Sequence, residues 1–246
     1  MERLIDWFRG KDGAVVALSG GVDSSIVAAA AKDALGDRAI AVTSSSSTFP
    51  THELEIAKKV AEEIGIEHRI IFEDELENPN FVKNPPDRCY HCRKGLVEGL
   101  KKVAERHGIS TIVDGANADD TLEHRPGLKA MKEAGVRSPL LELGIGKKEV
   151  RRMARERGLS IHDKPSMACL ASRIPYGERI TKEKLARIEK AEDFIRGLGF
   201  EQARVRHHNS IARIEVRKGD IPKIVENREI IAKRLRELGF AYVSLD

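Results

Sequence analysis

The chain has 246 residues, 41% hydrophobic and 33% charged, so a real core can form in one large domain or in one domain with a small companion. Subtracting 39 Asp and Glu from 43 Lys and Arg leaves +4, a mild excess that suits a phosphorylated small molecule and gives no nucleic-acid footprint. The opening MERLIDWFRGKDG lacks an apolar signal core and no run is long enough to span a bilayer, so a cytoplasmic protein is expected, in which three cysteines do not make a disulfide framework.

AVVAL at 14–18 reads as a buried parallel strand and SSIVAAAAKDAL at 24–35 as a helix. Strands follow at 39–43, 68–72 and 110–115, with helices at 51–65 and 95–108 between them and another near 147–157. This alternation predicts an α/β fold with a parallel sheet. A Pro- and Ser-rich stretch, DKPSMACLASRIPYGE, ends it. A helix at 181–197, strands at 203–207 and 211–217, a helix at 219–237 and a strand at 241–244 then predict a small C-terminal α+β domain. The expected domains are 1–164 and 165–246.

ALSGGVDSS (17–25) lies between the first strand and the first helix. Glycines there let the backbone approach phosphate oxygens, and a helix N-terminus offers unpaired N–H groups and the positive end of a dipole. Ser19, Ser24 and Ser25 can add hydroxyl donors around Gly20 and Gly21, and Asp23 can hold a Mg²⁺ that bridges phosphates. Neither the Walker A pattern nor G-x-G-x-x-G is present. The SGGVDSS run resembles the PP-loop of ATP pyrophosphatases, which cleave ATP between the α- and β-phosphates and transfer AMP to a substrate oxygen. DGANADD (114–120) follows the fourth strand, so Asp114, Asn117, Asp119 and Asp120 are expected at the same crevice, with Asp119 as a second Mg²⁺ ligand.

Cys89 and Cys92 form a CxxC in PDRCYHCRKG, and Cys169 lies far downstream. A redox pair, a zinc site using His91, an iron–sulfur cluster with three thiolates and one open iron, and plain buried thiols are all compatible with that spacing. CYHCRKGL, DGANADD, RPG, SPLLELGIGKKEVR, PSMACLASRIPYG and RVRHHNSIARIEV, in that order over nearly the whole chain, resemble the LarE family of sulfur transferases. The resemblance implies an adenine nucleotide alpha hydrolase-like PP-loop domain and an enzyme using ATP and Mg²⁺. Its substrate would be pyridinium-3,5-biscarboxylic acid mononucleotide, whose carboxylates are adenylated and become thiocarboxylates in nickel-pincer nucleotide biosynthesis. Members with only the cysteine matching Cys169 sacrifice its sulfur. Three-cysteine members, which this chain resembles, imply a [4Fe-4S] cluster on Cys89, Cys92 and Cys169 that takes sulfur from hydrosulfide or another donor. Some relatives also form higher homo-oligomers.

Arg204 and Arg206 alternate on one strand, as do Arg213, Glu215 and Arg217 on the next. Alternation places each set on one face, and a hairpin would join them into a charged surface. Through the resemblance, Arg204 and Arg206 become ligands of the substrate phosphate. Ser172 and Arg173 become substrate contacts beside Cys169, and Glu192 and Glu215 metal or orienting groups. The rival within the superfamily is a tRNA thiolation enzyme, which the low net charge and the lack of an evident RNA-binding domain oppose.

Overall fold

In the computed structural model the described residues are 1–122 and 126–246. Arg125, the first residue of the RPG motif, lies outside them. The chain divides into two compact units, Met1–Glu75 with Asp87–Met167, and Leu76–Pro86 with Ala168–Asp246.

The first unit is built on β1 (Ala14–Ala17), β2 (Ala39–Ser45), β3 (Glu67–Phe72) and β4 (Ile112–Val113), all parallel, in the order β3-β2-β1-β4. Strands β1 and β2 are apolar on both faces because both faces are covered. Ala14, Val16 and Ala41 pack with α1 (Glu2–Phe8), α2 (Val22–Leu35), α3 (Thr51–Ile64) and residues of a later helix. Val15, Ile40 and Val42 pack on the other side, with α4 (Arg88–Arg106) and α5 (Pro126–Glu133). The later helix is α6 (Lys147–Glu156), whose Val150, Met153 and Ala154 join the first layer. Each large aliphatic side chain buried this way contributes about 1.5–3 kcal/mol. The run Ala28–Ala31 is wholly buried, and its small side chains let α2 lie close to its neighbours.

Two local features depart from the sequence expectation. Helix α4 starts at Arg88, so the whole CYHCRKG stretch is helical, ahead of the expected start at 95. Gly99 on that helix is needed for packing: a Cβ there would stand 2.4 Å from Ile71 Cδ1 and 2.6 Å from Glu73 Oε1. Helix α5 falls between 116 and 137, where the sequence pattern predicts no element.

The second unit holds α7 (Lys182–Gly197), β5 (Ala203–His208), β6 (Ile211–Val216), α8 (Ile221–Glu226), α9 (Arg228–Glu237) and β7 (Tyr242–Leu245). Thr181 caps α7 by accepting a hydrogen bond from the Lys184 amide at 3.3 Å. Strands β5 and β6 are antiparallel and β7 is parallel to β6. The expected 219–237 helix is instead two helices that meet at Asn227. Alternation sends Val205, Ala212 and Ile214 into a core with Phe200, Leu235 and Phe240. It leaves Arg204, Arg206, Arg213 and Glu215 on the opposite face. Residues 76–86 join this unit through Asn84, whose side-chain amide donates to the carbonyls of Ile174 (3.2 Å) and Pro175 (2.7 Å). No described helix is long and apolar enough to cross a membrane.

Candidate functional site

Strand β1 lies between β2 and β4, so the chain leaves β1 towards one side of the sheet and returns to the other. The carboxyl ends of β1 and β4 form the switch-point crevice where parallel sheets bind ligands. The loop after β1 is a closed turn. Gly20 has φ +69°, a left-handed conformation that glycine supplies without strain. The Ser24 and Ser25 hydroxyls both donate to the Gly21 carbonyl, at 3.1 and 2.8 Å. The Ser19 amide donates to Ser24 Oγ at 3.2 Å, and the Gly21 amide reaches Ser19 Oγ at 3.4 Å. Ser25 is fully buried. In this structure its hydroxyl braces the loop. The loop after β4 lies against this turn, since a Cβ on Gly115 would come within 2.6 Å of the Ser24 amide nitrogen.

The two loops are joined through side chains. Asn117 Nδ2 donates to Asp23 Oδ1 at 3.2 Å and Asn117 Oδ1 accepts from the Asp119 amide at 2.9 Å. Lys147, the first residue of α6, donates its ammonium to Asp23 and its amide to Asp119 Oδ2 at 2.7 Å. Asp23 and Asp119 thus share one cationic residue. Sequence reasoning missed Lys147, although GIGKKEVR carries it within a recognisable motif. Asp114 is buried and accepts from Ser138 Oγ (2.7 Å) and the Ala116 amide (3.1 Å). Burial pushes its carboxyl above the ordinary value against those hydrogen bonds. Among the described residues no three His, Cys, Asp or Glu side chains gather as a metal-binding group. A pair of aspartates fits Mg²⁺ all the same, because that ion is usually held by one or two carboxylates plus the phosphates and water.

Cys89 and Cys92 stand in the first two turns of α4, three residues apart, so they share a face. Cys89 is exposed and Cys92 half-buried. The Cys92 thiol contacts Glu75 Oε1 at 3.6 Å, an oxygen that also accepts from Ser46 Oγ at 3.0 Å and Thr48 Oγ1 at 3.1 Å. Burial raises the Glu75 carboxyl above its usual range. His91 lies 3.6 Å from Asp87, one turn back. Two thiols on one helical face suit a shared soft metal group.

Cys169 belongs to the second unit and begins a short 3-10 turn, Leu170–Arg173. Its carbonyl accepts from the Ser172 amide at 3.0 Å and from Arg173 Nη1 at 3.1 Å. Arg173 has no exposed side-chain surface. It also bonds the Ala168 carbonyl (2.7 Å), Ser172 Oγ (3.0 Å) and both oxygens of Glu192 (2.8 and 3.1 Å). Glu192 Oε1 accepts from the Val205 amide at 3.0 Å. Arg173 and Glu192, expected to meet substrate or metal, are in this structure a buried pair that fixes the Cys169 turn on β5. Arg206 bonds both Glu215 oxygens at 2.8 Å and the Ser172 carbonyl at 2.8 Å. The hydrogen bond from Arg206 holds the Glu215 carboxyl below its ordinary value. Arg213 donates to Glu215 at 2.9 Å. Arg204 sits opposite Glu215 in the register, half-exposed.

A family model described as NAD synthase matches residues 8–78, a stretch that includes the phosphate loop. The uncharacterized protein slr1717 of Synechocystis is 44% identical over all of this chain and 92% of its own length. The pyridinium-3,5-bisthiocarboxylic acid mononucleotide synthase of Lactiplantibacillus plantarum is 38% identical over 94% of this chain and 84% of its own. The chain belongs to the LarE family. A more distant likeness, 32% over 76% of this chain and 65% of the relative, is to a polypeptide of the glutamine-hydrolyzing GMP synthase of Archaeoglobus fulgidus. Family membership and the NAD synthase match agree with the parallel sheet and phosphate loop of an ATP-dependent enzyme.

Proposed function

We propose that the chain adenylates the carboxylates of pyridinium-3,5-biscarboxylic acid mononucleotide and converts them to thiocarboxylates, with Cys89, Cys92 and Cys169 holding a [4Fe-4S] cluster. The observation that carries the reading is the Asp23–Asn117–Asp119–Lys147 cluster closing over a phosphate loop in a chain 38% identical to a synthase of the thiolated product.

The loop from Ser19 to Ser25 and the N-terminus of α2 would hold the triphosphate, and Asp23 and Asp119 its Mg²⁺. A substrate carboxylate oxygen attacks the α-phosphorus, the bond to the bridging oxygen of the β-phosphate breaks, and pyrophosphate leaves. Adenylation turns a poor leaving group into AMP. A sulfur nucleophile then attacks the acyl carbon, the bond to AMP breaks, and AMP departs with the electron pair. The guanidinium of Arg204 and that of Arg206 suit the substrate phosphate, while Glu215 keeps Arg206 in place. Ser172, in the Cys169 turn, would contact the same ligand. When bound, the cluster would supply sulfur renewably, so that Cys169 need not be consumed. The substrate is a small molecule, and a transfer RNA is disfavoured by the net charge of +4.

Anaerobically isolated protein is expected to carry iron and acid-labile sulfide, to release pyrophosphate with the biscarboxylic mononucleotide, and to turn over repeatedly with sulfide. Cys92→Ala is expected to lose the cluster and multiple turnover. Retention of both by that variant would remove Cys92 from the proposed ligands and overturn the three-cysteine site. Dehydroalanine at position 169 after one turnover would make Cys169 the sulfur source.

A further inference from the structure

The phosphate loop carries two consecutive glycines, Gly20 and Gly21. The peptide between them can flip with little steric penalty, because neither residue has a Cβ to resist it. A flip would exchange an N–H for a carbonyl oxygen on the side of the loop that receives phosphate. In the structure the peptide is held from outside. Lys164 Nζ donates to the Gly20 carbonyl at 3.0 Å and also to Glu53. Meanwhile the Gly21 amide turns inward to Ser19 Oγ.

Both members of this pair are largely enclosed, with side-chain exposures of 14% for Lys164 and 5% for Glu53. Glu53 also faces His52 Nε2 at 3.3 Å. Burial pushes the Glu53 carboxyl upward, but the hydrogen bonds from His52 and Lys164 outweigh it, and it stays below its ordinary value as a carboxylate. Its own backbone packs on the loop, since a Cβ on Gly20 would stand 3.2 Å from the Glu53 carbonyl oxygen and 3.1 Å from the Ala57 nitrogen. The ammonium is therefore neutralised, enclosed and already shared between a carboxylate and a carbonyl.

We propose that Lys164 and Glu53 are positioning residues that lock the Gly20–Gly21 peptide, so that the loop presents N–H groups to the nucleotide's phosphates. The inference rests on the ATP reading and names two residues outside the SGGVDSS motif as the source of its order.

The test is titration of the full chain with a non-hydrolysable ATP analogue and Mg²⁺. Lys164→Met should weaken binding by about tenfold or more, the loss expected for a hydrogen bond to a charged group. Lys164→Arg should restore part of it. Hydrogen exchange at the Gly21–Ser24 amides should accelerate in Lys164→Met. Glu53→Gln keeps the side-chain shape and decides the matter. If Lys164 positions the loop, this variant weakens binding. If Lys164 is a phosphate ligand restrained by Glu53, the same variant tightens binding, and the inference is overturned. Unchanged affinity in Lys164→Met overturns it as well; should that variant fail to fold, the sign of the Glu53→Gln effect still decides. A wild-type chain that binds no analogue would instead overturn the ATP reading itself, and this inference with it.

Discussion

Replacing Glu192 by Gln is expected to cost more than any surface change in the second unit. Arg173 and Glu192 have 0% and 1% side-chain exposure and meet through two hydrogen bonds of 2.8 and 3.1 Å. Glutamine retains the shape but removes the counter-charge, leaving a guanidinium buried beside a neutral amide. Breaking a buried pair on one side costs about 3–5 kcal/mol. Part of the loss falls on the Cys169 turn, because Arg173 Nη1 also holds the carbonyls of Ala168 and Cys169. Combining Arg173→Met with Glu192→Leu removes both charges, so its cost should fall short of the sum of the single changes by about 0.5–3 kcal/mol. It should not return to zero, because the Val205 amide and two carbonyls lose partners. Urea unfolding followed by far-UV circular dichroism reads the energies, and hydrogen exchange at the Val205 amide reads the local effect. A loss below about 1 kcal/mol for Glu192→Gln, with Val205 exchange unchanged, would refute the reasoning.

Two further outcomes follow from the geometry. Gly115→Ala should abolish measurable nucleotide binding while leaving the circular dichroism spectrum intact, because the added methyl meets backbone at 2.6 Å and 2.8 Å in the first turn of α2; normal binding would show that the two loops are not packed as described. His207 is buried against Phe240, and its pKa is lowered from 6.5 by burial first and then by the charges of Lys184 and Arg187. Well above pH 6.5 both folded and unfolded chains hold it neutral. Below that the unfolded chain takes up the proton first, so stability falls with pH, by up to about 1.4 kcal/mol per unit. His207→Phe should remove that part of the acid slope, and parallel pH curves for the two proteins would contradict it.

The elements with a strong period are legible in the sequence. Strands β1, β2 and β3 and helices α2 and α3 fall within a few residues of their expected bounds, because apolar runs and their glycine ends are local signals. Helix α4 extends further than its sequence suggests, since Cys, Tyr and His carry weak helix preference and the apolar period begins only after them. The phosphate loop is legible as a motif, but its internal bonding is not. Nothing local says that Lys147 reaches Asp23 from 124 residues away. Arg173 shows the same limit in another form. A sequence gives an arginine beside a reactive cysteine, and only the fold shows it fully buried with its guanidinium already on Glu192. The assignment of 76–86 to the second unit is likewise long-range, since Asn84 meets its partners 90 and 91 positions later.

That last feature governs how the molecule can be made and cut. The short stretch from Leu76 to Pro86 leaves the ribosome long before the residues it packs with, and carries Phe81 and Val82, which end at 2% and 4% exposure. Until Ile174 to Ile180 are synthesised, those two side chains have no cover from their own unit, and Gly177 and Ile180 have not yet donated their amides to Asn84 and Val82. Formation of the second unit is therefore a late, non-local event. A chain stopped near residue 165 would not be a clean first half. It would keep a greasy strap without its partners in its middle, and it should be less soluble than the intact chain.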